Sequence, residues 1–324
     1  MEKIYFHGIN KSVEELEFAV KNIIGKIVVD NFYELNKLNE IAQAQGVLQD
    51  ILIRLSPGID PHTHEKTTTG ILDSKFGFSI ETGDALRAIK QSELLANLTF
   101  QGVHFHLGSP IFELEPYELG IKTVLSFTSS NNIELNEFSP GGGFAIGYVQ
   151  EGLPPSIDSY AEIITETLSS TCSNLGIKPP KLVIEPGRSI IGRAGVALYA
   201  VGAIKDIPNI RKYVSLDGGM GDNVRPAMYD AKYSAVVANR MADYPKEIVS
   251  LAGKYCESGD ILIKDIKLPV LETGDIIAIP ASGAYSPSMA SSYNLNPRPP
   301  MVMVLSGKDR FCLLYTSDAA DERS

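Results

Sequence analysis

The sequence predicts an α/β fold: a parallel, barrel-type region up to about residue 192, followed by a mainly antiparallel β domain. Three observations predict it. Short apolar runs alternate with amphipathic helical stretches, the order that gives parallel strands joined by right-handed crossovers. After Arg193, strand-like runs follow one another across Gly, Pro and Asp turns without long helices. Finally, chemistry-bearing motifs recur just beyond the strands, as at the mouth of a (β/α)8 barrel; periodicity alone would equally allow an open doubly wound sheet.

Six strands are expected in the first region: Ile4–Phe6, Ile27–Val29, Ile51–Leu55, Val103–Leu107, Leu135–Phe138 and Leu182–Ile184. Between them, Ser12-Val13-Glu14-Glu15 reads as a capping box, with Leu16, Ala19, Val20 and Ile23 along one apolar face. Leu35, Leu38 and Ile41 make a second stripe, and Ile163, Ile164 and Leu168 a third, behind a cap at Asp158. In the second region, strands are expected at Val196–Val201, Tyr213–Leu216, Ile261–Ile263, Ile276–Ile279 and Val302–Leu305.

Composition narrows the function classes. The 324 residues suffice for about two domains, and 44% hydrophobic with 21% charged residues is ordinary for a globular chain. A net charge of -10 lacks the basic footprint of nucleic-acid binding. Three sparse cysteines, Cys172, Cys256 and Cys312, give neither a disulfide framework nor a zinc pattern. No apolar run approaches a membrane span and the start has no leader, so a cytoplasmic protein is expected.

Several constellations carry chemistry. Gly141-Gly142-Gly143 suits an anion held by consecutive N–H groups, or simply a flexible turn. In Glu185-Pro186-Gly187-Arg188 the carboxylate suits a protonated ring nitrogen and the arginine a phosphate or carboxylate; the plain alternative is a surface ion pair. His104 and His106 face one side of a strand. Metal binding would need a third ligand, and none is evident, so ring stacking by one and core packing by the other is expected. His62 and His64 are expected to be solvated. Cys256 reads as a small buried hydrophobe or as a proton donor flanked by acids. Arg225-Pro226-Ala227-Met228-Tyr229 and Gly283-Ala284-Tyr285 each end a turn on a phenol. None of these identifies a reaction by itself.

Taken in order, the motifs resemble the diaminopimelate decarboxylases, pyridoxal-phosphate enzymes of the alanine-racemase-like barrel class. The matching string runs from Phe6-His7-Gly8-Ile9-Asn10-Lys11 through Ser74-Lys75-Phe76-Gly77 and His104-Phe105-His106-Leu107-Gly108-Ser109. It continues through the triple glycine, Glu185 to Arg188, Arg225 to Tyr229, Cys256-Glu257-Ser258-Gly259-Asp260 and Gly283 to Tyr285. The resemblance implies pyridoxal 5'-phosphate as cofactor. His106 is to stack on its ring, Ser109 with Gly141, Gly142 and Gly143 to hold its phosphate, and Glu185, set by Pro186 and Gly187, to pair with its nitrogen. Arg188, Arg225 and Tyr229 are to hold the distal carboxylate of the substrate and Glu257 its distal ammonium. Cys256 is to return a proton to the α carbon, and Tyr285 to touch cofactor and substrate. Cys256 and Glu257 are to reach the active site of a neighbouring subunit, which implies a homodimer.

The implied reaction is decarboxylation of meso-2,6-diaminopimelate to L-lysine. Ornithine, arginine or carboxynorspermidine as substrate remains open, as does a non-catalytic, decarboxylase-like regulatory protein. Two departures from the family stand out. Met1 aligns within the third barrel strand, so the first two strand–helix units and the Schiff-base lysine are absent from this sequence; neither Lys11 nor Lys75 stands in that position. This leads to the expectation of exposed sheet edges, a chain prone to association, and no activity alone. The residues after Arg310 leave the family pattern. The domains expected are therefore 1–192 and 193–310, with 311–324 a foreign tail.

Overall fold

The structure, a computed structural model, describes residues 1–60, 69–71 and 73–312. The expectation for His62 and His64 lies outside the described residues. The chain divides into two units, Met1–Ala145 with Pro154–Gly187, and Ile146–Leu153 with the chain from Arg188 onward.

The first unit alternates strand and helix: β1 (Tyr5–Phe6), α1 (Val13–Lys21), β2 (Lys26–Val29), α2 (Phe32–Gln45), β3 (Gln49–Ser56), β4 (Phe78–Ser79), α3 (Asp84–Leu94), β5 (Leu98–His104), α4 (Glu115–Ser130), β6 (Glu137–Ser139), α5 (Ile157–Leu175) and β7 (Lys181–Leu182). The sheet order is β1-β2-β3-β5-β6-β7, with β4 on β3, and every pairing is parallel. This is the half-barrel sheet of the alanine-racemase-like fold. Burial on both faces explains why β2 and β3 read as apolar runs, interrupted in β3 by Arg54 alone between Ile51 and Leu55, with Ile27, Val29, Ile51 and Ile53 fully enclosed.

Local signals hold where they are local. Ser12 Oγ accepts from the Glu15 N–H at 3.2 Å while the Glu15 carboxylate accepts from the Ser12 N–H at 2.8 Å, closing the capping box. Leu16, Ala19 and Val20 are buried behind it, but Ile23 is not: α1 ends at its Asn22 cap, and Ile23 turns out at φ 55°, 69% exposed. The cap of α5 is Ser156, whose Oγ accepts from the Ser159 N–H at 3.0 Å; Asp158 sits instead in the first turn, where the helix dipole favours a negative charge. β5 starts earlier than its apolar run because Leu98 already pairs with Gln49, and it ends at His104, leaving His106 in the loop beyond.

Lys11 is enclosed. Its Nζ donates to Gly8 O and Val28 O, both at 2.8 Å, and to Glu34 Oε1 at 2.7 Å. Lys75 lies with its Nζ 5.3 Å from the Phe76 ring centroid.

The second unit holds α6 (Gly187–Ile191, its first residue shared), β8 (Ala197–Ile207), β9 (Arg211–Leu216), α7 (Arg225–Tyr229), β10 (Val236–Val237), β11 (Glu247–Ala252), β12 (Ile261–Leu268), β13 (Ile276–Ile279), α8 (Ser286–Met289), β14 (Met301–Leu305) and β15 (Lys308–Cys312). The sheet order is β10-β13-β8-β9-β11-β12, antiparallel except for β9 beside β11. Val214, Leu251 and Ile277 form its buried centre. β10 and β11 were not expected from sequence: β10 is two residues long, and Ser250 interrupts the apolar pattern of β11 although it is buried. β14 and β15 pair as a hairpin whose backbone runs to Cys312, two residues into the stretch set aside as a tail. Among the described residues no helix is long and apolar enough to cross a membrane.

Candidate active site

Glu185 lies just beyond β7 and forms an isolated parallel bridge with Gly142, the Glu185 N–H donating to Gly141 O at 3.0 Å. A Cβ on Gly142 would stand 2.0 Å from Glu185 O, so a side chain there would push the two segments apart. Gly141 and Gly143 turn at φ 76° and 99°, conformations that favour glycine. The three N–H groups do not all face one anion: that of Gly141 donates to Ser139 Oγ at 3.2 Å and that of Gly142 to His106 Nδ1 at 3.3 Å. Beneath the turn, the buried Tyr117 hydroxyl donates to Gly142 O at 2.8 Å. Ser109 follows in the loop beyond β5, half-buried.

Three groups converge on the Glu185 carboxylate. His104 Nε2 lies 3.2 Å from Oε1 and 3.3 Å from Oε2, the Ser139 hydroxyl donates to Oε1 at 3.2 Å, and His7 Nε2 lies 3.3 Å from Oε1. Burial opposes ionisation of this carboxyl, but the hydrogen bonds and charges of His104 and His7 prevail and hold it well below the usual carboxylate range. The two imidazoles meet edge-on, 4.9 Å between centroids. The third group that the spacing of His104 and His106 did not reveal is therefore present: the ligand atoms of His7, His104 and Glu185 all lie within 4.8 Å of one another. Both imidazoles are accounted for as neighbours of the carboxylate.

Arg54, Ser139 and His7 went unassigned in the sequence reading. Arg54 is buried in β3, its guanidinium 4.5 Å from the Phe76 ring centroid and Nη1 3.5 Å from Asp30 Oδ2, and its charge acts on Glu185. The signal for it was visible: one cation inside the apolar run Ile51–Leu55.

Burial pushes the His104 imidazole down to about 4, against the pull of Glu185, and desolvation pushes His106 down to about 3. Both rings are neutral at pH 7. Below the ordinary value of 6.5 the unfolded chain takes up protons that the folded rings refuse. This stability is present above pH 6.5 and is lost as the pH falls through the depressed values, at up to about tenfold in the folding constant per pH unit and ring. The urea midpoint should fall between pH 6.5 and pH 4, and less steeply in His104→Asn. An identical slope in that variant would remove His104 as a cause.

In the second unit the structure brings three expected residues together. Arg188 and Arg225 are buried, 7% and 5% exposed. The Arg188 guanidinium lies 4.5 Å from the Tyr285 ring centroid, and that of Arg225 lies 4.8 Å from the centroid of Tyr148. Tyr285 turns at φ 69° ahead of α8, and Tyr229 closes α7, half-buried. Cys256 is a free, exposed cysteine rather than a buried hydrophobe. Its neighbour Glu257, also exposed, accepts a hydrogen bond from the Tyr293 hydroxyl. Their loop is organised by buried Asp260, whose carboxylate accepts from the N–H groups of Met220 at 2.7 Å and Tyr255 at 2.9 Å.

The first unit passes a physical test for a pyridoxal-type ring. It offers an ionised carboxylate, one-third open to solvent, for a protonated ring nitrogen. A carboxylate accepts about four hydrogen bonds, and the neighbours of Glu185 crowd Oε1 while Oε2 has His104 alone among the contacts described above. A neutral imidazole, His106, stands against the glycine turn. Residues 1–192 match the family model described as "Pyridoxal-dependent decarboxylase, pyridoxal binding domain", so fold and site define a pyridoxal-phosphate-dependent carboxy-lyase. The chain is 44% identical over 311 residues to the diaminopimelate decarboxylase of Bacillus subtilis (strain 168), covering 95% of this chain and 71% of that one. It is 47% identical over 316 residues to that of Synechocystis sp., covering 96% and 66%. Among solved structures, diaminopimelate decarboxylase from M. jannaschii in co-complex with L-lysine matches with a TM-score of 0.88 at 35% identity, covering 95% and 71%. The chain belongs to the diaminopimelate decarboxylase family.

Proposed function

We propose that this chain carries the residues that hold pyridoxal 5'-phosphate and substrate for decarboxylation of meso-2,6-diaminopimelate to L-lysine. The observation that carries this reading is the bridge between Glu185 and Gly142, which sets an ionised carboxylate beside a glycine turn at the strand ends of a parallel sheet. When bound, pyridoxal 5'-phosphate supplies an electron sink for the charge left as carbon dioxide departs. Glu185 keeps the proton on the ring nitrogen by accepting its hydrogen bond, and His7, His104 and Ser139 hold Glu185 in place. His106 packs on the ring, and Ser109 with the turn of Gly141, Gly142 and Gly143 lines the phosphate, whose oxygens would replace Ser139 and His106 as acceptors for the Gly141 and Gly142 N–H groups. Pro186 and Gly187 turn the chain so that Arg188 follows Glu185 closely.

Arg188, Arg225 and Tyr229 bind the distal carboxylate, with Tyr285 alongside. A guanidinium fork matches a carboxylate in two parallel hydrogen bonds, and a buried one discriminates strongly against a substrate lacking the partner. Glu257 binds the distal ammonium and Cys256 delivers a proton to the α carbon. Their exposure fits service to a second copy of the chain in a homodimer. A free, exposed thiol in that role suits a reducing cytoplasm.

The reading is tested by titrating the chain, loaded with pyridoxal 5'-phosphate, with meso-diaminopimelate, L-ornithine, L-arginine and carboxynorspermidine, and assaying carbon dioxide and lysine alongside. Meso-diaminopimelate should bind at least about tenfold tighter than the other three, the worth of one charge-assisted hydrogen bond. Equal or tighter binding of ornithine would overturn the assignment.

A further inference from the structure

We propose that Tyr148 is a positioning residue that fixes both guanidiniums of the distal-carboxylate clamp, an inference that rests on the decarboxylase reading above. In the chain, Tyr148 follows soon after the triple glycine, yet its segment, Ile146–Leu153, belongs to the second unit. There its hydroxyl accepts a hydrogen bond from Arg188 Nη1. The guanidinium of Arg188 lies 5.8 Å from the ring centroid and that of Arg225 lies 4.8 Å from it. One phenol thus touches both arginines, one through its oxygen and one through its ring.

The phenol is itself held. Tyr233 meets it edge-on, 5.2 Å between centroids, and the Tyr233 hydroxyl accepts from Arg225 Nη1 at 2.5 Å. The Tyr148 carbonyl accepts from Ser234 Oγ at 3.2 Å. Two buried cations near one another repel, and a planar guanidinium swings on a long flexible stem. The negative face of an aromatic ring and a phenol oxygen offset that repulsion and restrict the swing. Ordering both forks before the ligand arrives lowers the cost of engaging a carboxylate, and does nothing for a ligand without one.

Forming L-lysine removes the carboxylate of the D centre and leaves the distal one in place. D-lysine is therefore the ligand that equals meso-diaminopimelate without the distal carboxylate, and these two isolate this role. Binding of each to the chain loaded with pyridoxal 5'-phosphate is measured by calorimetry for wild type, Tyr148→Phe and Tyr148→Leu. Tyr148→Phe keeps the ring and loses the acceptor for Arg188. It should weaken diaminopimelate about 5- to 10-fold, somewhat less than the full worth of one hydrogen bond to a charged group because the clamp itself remains, and leave D-lysine within about twofold. Tyr148→Leu also removes the ring and should weaken diaminopimelate further, again without changing D-lysine. Equal losses for both ligands would show a merely structural side chain and overturn the proposal. A wild-type preference for diaminopimelate that survives both substitutions would overturn it while leaving the decarboxylase reading intact. Wild type without that preference would sink both.

Discussion

Lys11→Met should destabilise the chain by about 3–5 kcal/mol, the usual cost of leaving one member of a buried ion pair without the other. Lys11 is 4% exposed and Glu34 2%. Burial lowers the Lys11 ammonium from its ordinary value despite Glu34, and raises the Glu34 carboxyl to about 7 despite Lys11. For both groups desolvation outweighs attraction, so the pair adds little net stability while intact. Breaking it is another matter. Methionine fills a similar volume, but it leaves the Glu34 carboxyl and the carbonyls of Gly8 and Val28 without their donor. The double variant Lys11→Met, Glu34→Leu should recover more than half of the loss, because a well-packed apolar pair of similar volume replaces a buried ion pair at little cost. Urea unfolding of the three proteins at pH 7.5, above the raised Glu34 value, decides it. A single-variant loss below about 1 kcal/mol would show that water reaches the site.

Glu185→Ala should weaken binding of pyridoxal 5'-phosphate about 10- to 150-fold, equivalent to the 1.5–3 kcal/mol of a hydrogen bond to a charged group. The fold should persist, because the bridge to Gly142 uses the Glu185 backbone and not its side chain. His104 and His7 lose their carboxylate neighbour, and Ser139 loses its acceptor. Equilibrium dialysis against pyridoxal 5'-phosphate, with circular dichroism to confirm folding, gives the answer. Unchanged affinity in a folded variant would mean that the ring nitrogen finds its partner elsewhere.

How far the sequence reaches depends on the range of the contact. The capping box at Ser12 and Glu15 was legible because both partners sit within one helical turn. The strands β2, β3 and β13 were legible because burial selects apolar runs at those positions. Ile23 was misread because periodicity carries no information about where a helix stops. Asp158 was misread because Ser156, two residues earlier, caps equally well.

By itself the sequence determined the alternation that makes a parallel sheet, the change to a β domain, and the motif string that leads to the family. Those properties are written in short windows, where hydrophobic period, turn chemistry and residue order act on neighbouring positions. The tertiary structure alone decided that His7 and His104 meet Glu185, that Lys11 is tied to Glu34, and that Tyr148 leaves the glycine turn to join Arg188 and Arg225. It also decided that β9 and β11 run parallel. Each of these joins segments distant in the chain, and such contacts are fixed by packing of the whole chain, which no local pattern records.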